Sequence, residues 1–127
     1  LLKSDKGFRI VNNKRKIIDL NLNDYIENIQ QKGVGEIILS SVKEDGSMNG
    51  YDLDILNNCL KYIKVPSILI GGCSGYDDIK KLFNSYKSIA AGASSIFIFK
   101  GKLKAVLISY PSEEERNEIV NNLWKET

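Results

Sequence analysis

The sequence predicts an α/β fold with parallel strands, because strand-like and helix-like segments alternate along it and the connections between them are short. Three nearly continuous apolar runs, at residues 36–41, 67–70 and, more weakly, 89–91, are typical of strands covered on both faces of a parallel sheet. Two architectures fit this order. One is a small doubly wound open sheet, and the other is half of a (β/α)8 barrel, whose full size is about 250 residues.

The segment before the first of these strands predicts a hairpin and a helix. Short β-favouring runs at 8–11 and 16–20 enclose four polar residues, and such a pair is typical of a hairpin. An amphipathic helix opens at 22–24 and is ended by Gly33 and Gly35, because glycine commonly follows the last turn of a helix.

The later helices are marked by capping residues. Asp52 is a good N-cap, and Ser112 with Glu115 forms a capping box. Helices are therefore predicted over 53–63, over 76–84 and from the capping box to about Trp124. Strand and helix then alternate four times, as parallel βαβ units require.

Composition excludes several classes of function. A net charge of +2 is too balanced to make nucleic acid a default partner. The sequence has no run of about 18 apolar residues and no secretory signal pattern at its start. It has no His, which removes His-based triads, imidazole general bases and most zinc sites. The two cysteines, Cys59 and Cys73, make no disulfide framework and suit a reduced cytosolic compartment.

The length predicts one domain, since 127 residues with 43% hydrophobic side chains are enough for a core. The first residue is Leu1 rather than Met, and it falls within what looks like a structural unit. This start is consistent with a piece of a longer protein.

Small and polar residues follow each of the three parallel strands, at the edge where ligands bind in such folds. In chain order they are Ser40, Ser41, Asp45, Gly46 and Gly50, then Gly71, Gly72, Cys73 and Ser74, then Gly92, Ser94 and Ser95. Small residues let backbone N–H groups approach an anion, and a helix N-terminus adds a favourable dipole. The Gly71-Gly72 and Ser94-Ser95 pairs therefore fit a phosphate site, although glycines that merely permit tight turns fit equally well.

The remaining candidates are weaker. Asp45 fits either a turn or a hydrogen-bond acceptor for a polar ligand. Cys73 is expected to pack rather than to act as a nucleophile, because no His can activate it, and Cys59 is expected in the core. Glu36 shares one side of its strand with Ser40, so it is expected to point inward at the opposite end, where a buried carboxylate needs a partner.

Four segments resemble one family. The segment GVGEIILSS at 33–41 followed by DGSMNGYD at 45–52 is similar to the sixth strand and loop of the cyclase (HisF-type) subunit of imidazole glycerol phosphate synthase. PSILIGG at 66–72 resembles the seventh strand with its Gly-Gly turn, and SIFIF at 95–99 resembles the eighth-strand serine and the turn after it. The similarity covers nearly all of the chain.

The resemblance implies that residues 1–127 form a single half-barrel, the C-terminal half, strands five to eight, of a (β/α)8 TIM barrel with phosphate-binding loops. The family uses ammonia from a glutaminase (HisH-type) partner to convert a ribulosyl-formimino nucleotide to imidazole glycerol phosphate in histidine biosynthesis. This activity is cytoplasmic and needs no cofactor or metal.

The resemblance also assigns site residues by position. Asp45 and Gly46 would contact substrate, and Ser40 would line the pocket. Gly71, Gly72 and Ser95, with Ser94 beside it, would hold one terminal phosphate. Glu36 would belong to a charged ring that gates ammonia entry.

The sequence departs from the family pattern in places. Neither of the family's two catalytic aspartates is in this chain, and the second would fall immediately before Leu1, so the fragment alone is expected to be inactive. Lys43-Glu44 and Cys73-Ser74 stand where the family has Asp-Arg and Ala-Gly.

The end of the sequence leaves other functions open. The segment 97–111 resembles a divergent branch found with surface-polysaccharide genes, in which ammonia passes to a sugar amidotransferase. A non-catalytic module that binds a phosphorylated ligand is a further alternative.

Overall fold

The fold is α/β, as expected, and the computed structural model describes residues 1–101 and 103–124. The strands are β1 (Leu2–Ser4), β2 (Gly7–Arg9), β3 (Ile37–Ser40), β4 (Ser67–Ile70), β5 (Ile89–Ala91), β6 (Phe99–Lys100) and β7 (Ala105–Val106). The helices are α1 (Leu22–Gln31), α2 (Leu53–Cys59), α3 (Tyr76–Ser85), α4 (Ser95–Ile98) and α5 (Glu113–Trp124), with a 3-10 turn at Leu60–Tyr62. No helix in these two ranges is long and apolar enough to cross a membrane.

The central sheet has the order β3-β4-β5 and is parallel throughout, which confirms the predicted βαβ units. Ser67 on β4 lies between Ile37 on β3 and Ile89 on β5. The carboxyl ends of all three strands therefore meet at one edge, where the predicted ligand residues follow them.

One face of this sheet is covered and the other is open. Ile37 and Leu39 are buried against a core that includes Ile55, Leu56 and Leu82 from α2 and α3. On the opposite face the side chain of β3 residue 38, an isoleucine, is 58% exposed. The expectation that these strands are covered on both faces is therefore wrong for the described residues, because α1, α2 and α3 supply apolar side chains to one side only.

The N-terminal hairpin differs from the prediction. The structure pairs β2 with β1 in antiparallel fashion, with Phe8 opposite Lys3. The predicted pairing with 16–20 forms only next to the turn, where Val11 and Ile17 make an antiparallel bridge and the Ile18 N–H donates to the Ile10 carbonyl oxygen at 2.9 Å. Ile17 is 53% exposed, so the predicted ladder gains little from apolar burial there.

Helix α2 is shorter than the 53–63 predicted. It begins after Asp52, whose side chain accepts a hydrogen bond from the Asp54 N–H at 3.2 Å. After Cys59 the chain tightens into the 3-10 turn, and Ile63 is extended. This approach to Pro66 suits the extended backbone that precedes a proline.

The capping box of α5 is confirmed. The Ser112 N–H donates to Glu115 Oε2 at 2.8 Å, and the Glu115 N–H donates to Ser112 Oγ at 3.2 Å. Ile119 packs this helix against Ile79 of α3. The hairpin of β6 and β7 just before it was not predicted.

Candidate functional site

The three loops that follow β3, β4 and β5 line one cleft of about 230 Å³. Its lining consists mainly of small residues: Asp45, Gly46, Ile70, Gly71, Gly72, Cys73, Gly92, Ala93, Ser94 and Ser95. Six of the seven predicted ligand residues are among them. Ser40 is the exception, since it lies half-buried at the end of β3 and outside this lining.

The first loop folds back towards the cleft immediately after β3. The Asp45 N–H donates to the Ser41 carbonyl oxygen at 3.0 Å, and the Glu44 N–H reaches Ser41 Oγ at 3.4 Å. Gly46 follows with a positive φ of 74°. This turn presents Asp45 and Gly46, both exposed, to the cleft.

A backbone hydrogen bond holds the second loop against the first. The Gly50 N–H donates to the Gly72 carbonyl oxygen at 2.7 Å. A Cβ at residue 72 would lie 2.0 Å from the Gly50 oxygen, and φ there is +92°. Glycine is therefore required at position 72 by close approach and by backbone conformation together.

The third loop begins with an equally crowded glycine. The Gly92 N–H donates to the Leu69 carbonyl oxygen at 2.9 Å, and a Cβ at this position would lie 2.3 Å from Ile70 Cγ2. Ser94 and Ser95 follow directly. Ser94 precedes α4, which has only four residues, so the helix dipole expected at this point is small.

The cleft carries little charge. Asp45 is the only acidic side chain in its described lining, which contains no Lys or Arg. An anion in this cleft would therefore be held by backbone N–H groups and serine hydroxyls, the donors that glycine-rich anion sites use.

Cys73 is the buried thiol of the cleft, with 4% of its surface exposed. Burial raises the pKa of this thiol, and the Sγ lies 3.5 Å from the Gly75 carbonyl oxygen as a weak donor. The neutral thiol that results is a poor nucleophile, which agrees with the packing role predicted for it. Cys59 is fully buried in the core, also as predicted.

Tyr51 is a site residue that the sequence analysis missed. Its hydroxyl donates to the Gly92 carbonyl oxygen at 2.9 Å and so joins the first loop to the third. Burial, with the hydrogen-bonded neighbour Cys73, raises the pKa of Tyr51 far above its usual value. The tyrosine was visible in the segment 45–52, but nothing in the sequence indicates a partner 41 residues later.

Glu36 lies at the other end of β3, away from the cleft. It shares the open side of the strand with Ile38 and Ser40, as alternation predicts. Its burial was expected, but the structure leaves it exposed, because the described residues cover only the opposite face of the sheet.

Comparison with known proteins gives a family match. The model of the family described as "Histidine biosynthesis protein" matches residues 3–104. The putative imidazole glycerol phosphate synthase subunit hisF3 of Vibrio vulnificus is 42% identical over 111 residues, which are 87% of this chain and 42% of that protein. The putative subunit HisF of Leptospira borgpetersenii is 34% identical over 110 residues, 87% of this chain and 43% of that protein.

A further relative is covered over a similar share of its length. The imidazole glycerol phosphate synthase subunit HisF of Natranaerobius thermophilus is 32% identical over 113 residues, which are 88% of this chain and 45% of that protein. The chain therefore spans somewhat less than half the length of these curated relatives.

Proposed function

Because the chain belongs to the histidine biosynthesis protein family, whose members are TIM barrels, we propose that it is the C-terminal half of an imidazole glycerol phosphate synthase cyclase subunit and carries one of its phosphate sites. The observation that carries the proposal is the convergence of three loops with small residues on one cleft at the carboxyl edge of a parallel sheet. This is the edge at which barrel enzymes bind their substrates.

The half-barrel is supported by the open face and free edge of the sheet. The exposed Ile38 and the partly exposed Ile68 and Ile70 lie on the face that a complete barrel would enclose. The Leu1 backbone nitrogen donates to the Ser40 carbonyl oxygen. The Leu1 carbonyl oxygen accepts from the Val42 N–H at 2.8 Å, and this pair of bonds is the pattern of a parallel strand beside β3. The fifth strand of the proposed barrel would lie along this edge.

In the proposed site the second and third loops hold one terminal phosphate. Gly71 and Gly72 would offer backbone N–H groups, and Ser94 and Ser95 would add hydroxyl donors. Asp45, which faces the cleft with Gly46, would accept hydrogen bonds from the polar part of the substrate rather than contact the phosphate, since both groups are anionic. Ser40 lies at the end of β3 outside this lining, so no contact with the phosphate is proposed for it.

The proposed reaction is the conversion of a ribulosyl-formimino nucleotide and ammonia to imidazole glycerol phosphate, with release of the aminoimidazole carboxamide nucleotide. Ammonia would come from a glutaminase subunit at the amino ends of the strands. Glu36 lies at that end of β3, opposite the cleft, which is where an ammonia gate would have to be.

The phosphate site is tested by adding inorganic phosphate to the isotope-labelled chain and following the backbone amide signals by NMR. We expect saturable shifts at Gly71, Gly72 and Ser95, which Ser95→Ala weakens. Ser88→Ala is the matched control, because this exposed serine lies near the amino end of β5. Absence of saturable shifts at the loop residues, with sodium chloride as the ionic-strength control, would contradict the site.

The catalytic part is tested by a ring-closure assay on the 127-residue chain and on the complete protein. By resemblance the acid–base pair lies outside these residues, and such a pair contributes several orders of magnitude to rate. We therefore expect turnover only in the complete protein. Ring closure by the 127-residue chain would overturn the assignment of the chemistry to the other half.

A second candidate, based on the resemblance of the segment 97–111, is the subunit that channels ammonia to a sugar amidotransferase. The family match ends at residue 104, and the chain beyond it forms β7, where Val106 is 74% exposed, and the exposed segment up to Tyr110. Complementation of a histidine auxotroph by the complete gene separates the two. Growth supports the histidine pathway, and failure to grow by a well-expressed protein supports the sugar pathway.

A further inference from the structure

Residues 50 and 51 connect the first loop to both of the other loops that line the cleft. The Gly50 N–H donates to the Gly72 carbonyl oxygen at 2.7 Å, and the Tyr51 hydroxyl donates to the Gly92 carbonyl oxygen at 2.9 Å. Neither residue is part of the lining of the cleft. Two consecutive residues outside the lining of the cleft therefore fix the relative positions of its three loops.

Gly92 is held through both of its backbone polar groups. Its N–H donates to the Leu69 carbonyl oxygen at 2.9 Å, within the sheet, and its carbonyl oxygen accepts from Tyr51. With both groups fixed, the direction in which the chain continues into Ala93 and Ser94 is set before these residues reach the cleft. Without the Tyr51 hydroxyl, the hydrogen bond to the Leu69 carbonyl oxygen alone would hold Gly92.

The ring and the hydroxyl of Tyr51 have separate tasks. The ring packs against both apolar clusters of the fold, next to side chains of α2 and α3. Packing alone would be served equally well by phenylalanine. The hydroxyl is half-buried beside Cys73, where solvent screens the bond to Gly92 less than at the surface.

We infer that Tyr51 is a positioning residue of the phosphate cleft, because its hydroxyl sets the third loop so that Ser94 and Ser95 face Gly71 and Gly72. The inference rests on the proposed phosphate site. It adds that site affinity depends on a side chain that does not touch the ligand.

The test compares Tyr51→Phe with Tyr86→Phe in the full 127-residue chain. Both changes remove only a hydroxyl that donates a hydrogen bond, since Tyr86 donates to Asn57 Oδ1 at 2.7 Å away from the cleft. Inorganic phosphate is the probe, and affinity is measured by titration alongside urea unfolding. We expect Tyr51→Phe to weaken phosphate binding by about twofold to tenfold, the effect of one lost hydrogen bond, and Tyr86→Phe to leave it unchanged.

A structural effect alone would give a different result. Loss of stability alone would lower the folded fraction in both variants without moving the amide signals of 93–95 in the folded state. Positioning predicts that Tyr51→Phe shifts these signals in the absence of phosphate. Unchanged affinity and unchanged signals in a folded Tyr51→Phe variant would overturn the inference while leaving the phosphate site intact.

A measurement on the unmodified chain covers the case in which the variant does not fold. Phosphate should then shift the ring signals of Tyr51 and the carbonyl carbon signal of Gly92, although Tyr51 is outside the lining. Shifts confined to Gly71, Gly72 and the serines would refute the positioning role. If phosphate moves no loop signal at all, the proposed site fails, and this inference fails with it.

Discussion

Replacement of Gly72 by alanine is the most direct test of how the cleft is built. The added Cβ would lie 2.0 Å from the Gly50 carbonyl oxygen and 2.9 Å from its carbon, and both are backbone atoms that cannot rotate away. The residue would also have to adopt a φ of +92°, where L-residues are strained. Relief requires the first and second loops to separate.

The expected cost has two parts. A non-glycine residue in such a conformation costs about 1–3 kcal/mol. Separation of the loops breaks the 2.7 Å hydrogen bond between the Gly50 N–H and the Gly72 oxygen, which is worth about 1 kcal/mol. We therefore expect Gly72→Ala to lower the free energy of unfolding by about 2–4 kcal/mol, a large part of the 5–15 kcal/mol typical of a domain.

Gly75→Ala is the matched control, three residues further along the same loop. Its φ of 175° is extended backbone open to any residue, and a Cβ there would meet no described atom within 4 Å. Because Gly75 is the N-cap of α3, where glycine is preferred to alanine, this change is expected to lower the free energy of unfolding by at most about 1 kcal/mol, less than Gly72→Ala does. Urea unfolding measures both variants, and equal midpoints for Gly72→Ala and Gly75→Ala would refute the close approach.

Three further predictions test other parts of the structure. Gly92→Ala should destabilise the chain because its Cβ would lie 2.3 Å from Ile70 Cγ2, and Ile70→Ala in the same chain should recover part of the loss; strictly additive losses in a double-mutant cycle would contradict this. Burial raises the pKa of the Cys59 thiol from 9.0 to about 11. The unfolded chain therefore loses this proton first, and the free energy of unfolding should fall between about pH 9 and 11, by up to about 1.4 kcal/mol per pH unit. Cys59→Ala should reduce the slope of unfolding free energy against pH, and an unchanged slope would refute the cause. The open apolar face should make the 127-residue chain self-associate, and Ile38→Lys should reduce this; a clean monomer by light scattering would count against the half-barrel.

The parallel sheet was predictable because each of its strands is marked by a local pattern in the sequence. The runs at 36–41, 67–70 and 89–91 are apolar in succession, and each is followed by small residues. Once such strands are parallel, their carboxyl ends share an edge, so the loops were expected to meet before any contact was known. Six of the seven predicted ligand residues line the cleft at this edge, whereas Ser40 is the last residue of β3 and lies outside the lining.

Pairing between segments was less predictable, because it depends on which partner is available. Residues 8–11 were expected to pair forward with 16–20, but β2 pairs backward with β1, and the forward pairing is confined to residues 10–12 with 16–18. Both alternatives have suitable strand composition, and the exposed Ile17 shows that the forward ladder would have buried little. The hairpin of β6 and β7 was likewise not predictable from local pattern, because each strand has only two residues.

Periodicity also predicts which side chains share a face, but not which face is covered. Alternation correctly grouped Glu36 with Ile38 and Ser40, and the opposite face is the one that α2 and α3 bury. The contact between Tyr51 and Gly92 is invisible in the sequence for a related reason. It joins residues 41 positions apart through a side-chain hydroxyl, and no local pattern records such a bond.

The two interpretations of the Gly71-Gly72 pair, a tight turn or a phosphate site, are not alternatives. The approach of the Gly50 oxygen requires glycine at position 72 whether or not an anion binds, so the presence of this glycine is no argument for a ligand. A Cβ at residue 92 would lie 2.3 Å from Ile70 Cγ2, so packing against this side chain also favours glycine there without any ligand. Phosphate binding is therefore supported by the convergence of the three loops and by Ser94 and Ser95, which supply hydroxyl donors to the same cleft. It follows that loss of binding in Gly72→Ala would report the loop architecture, whereas loss of binding in Ser95→Ala, at unchanged stability, would report the anion site itself.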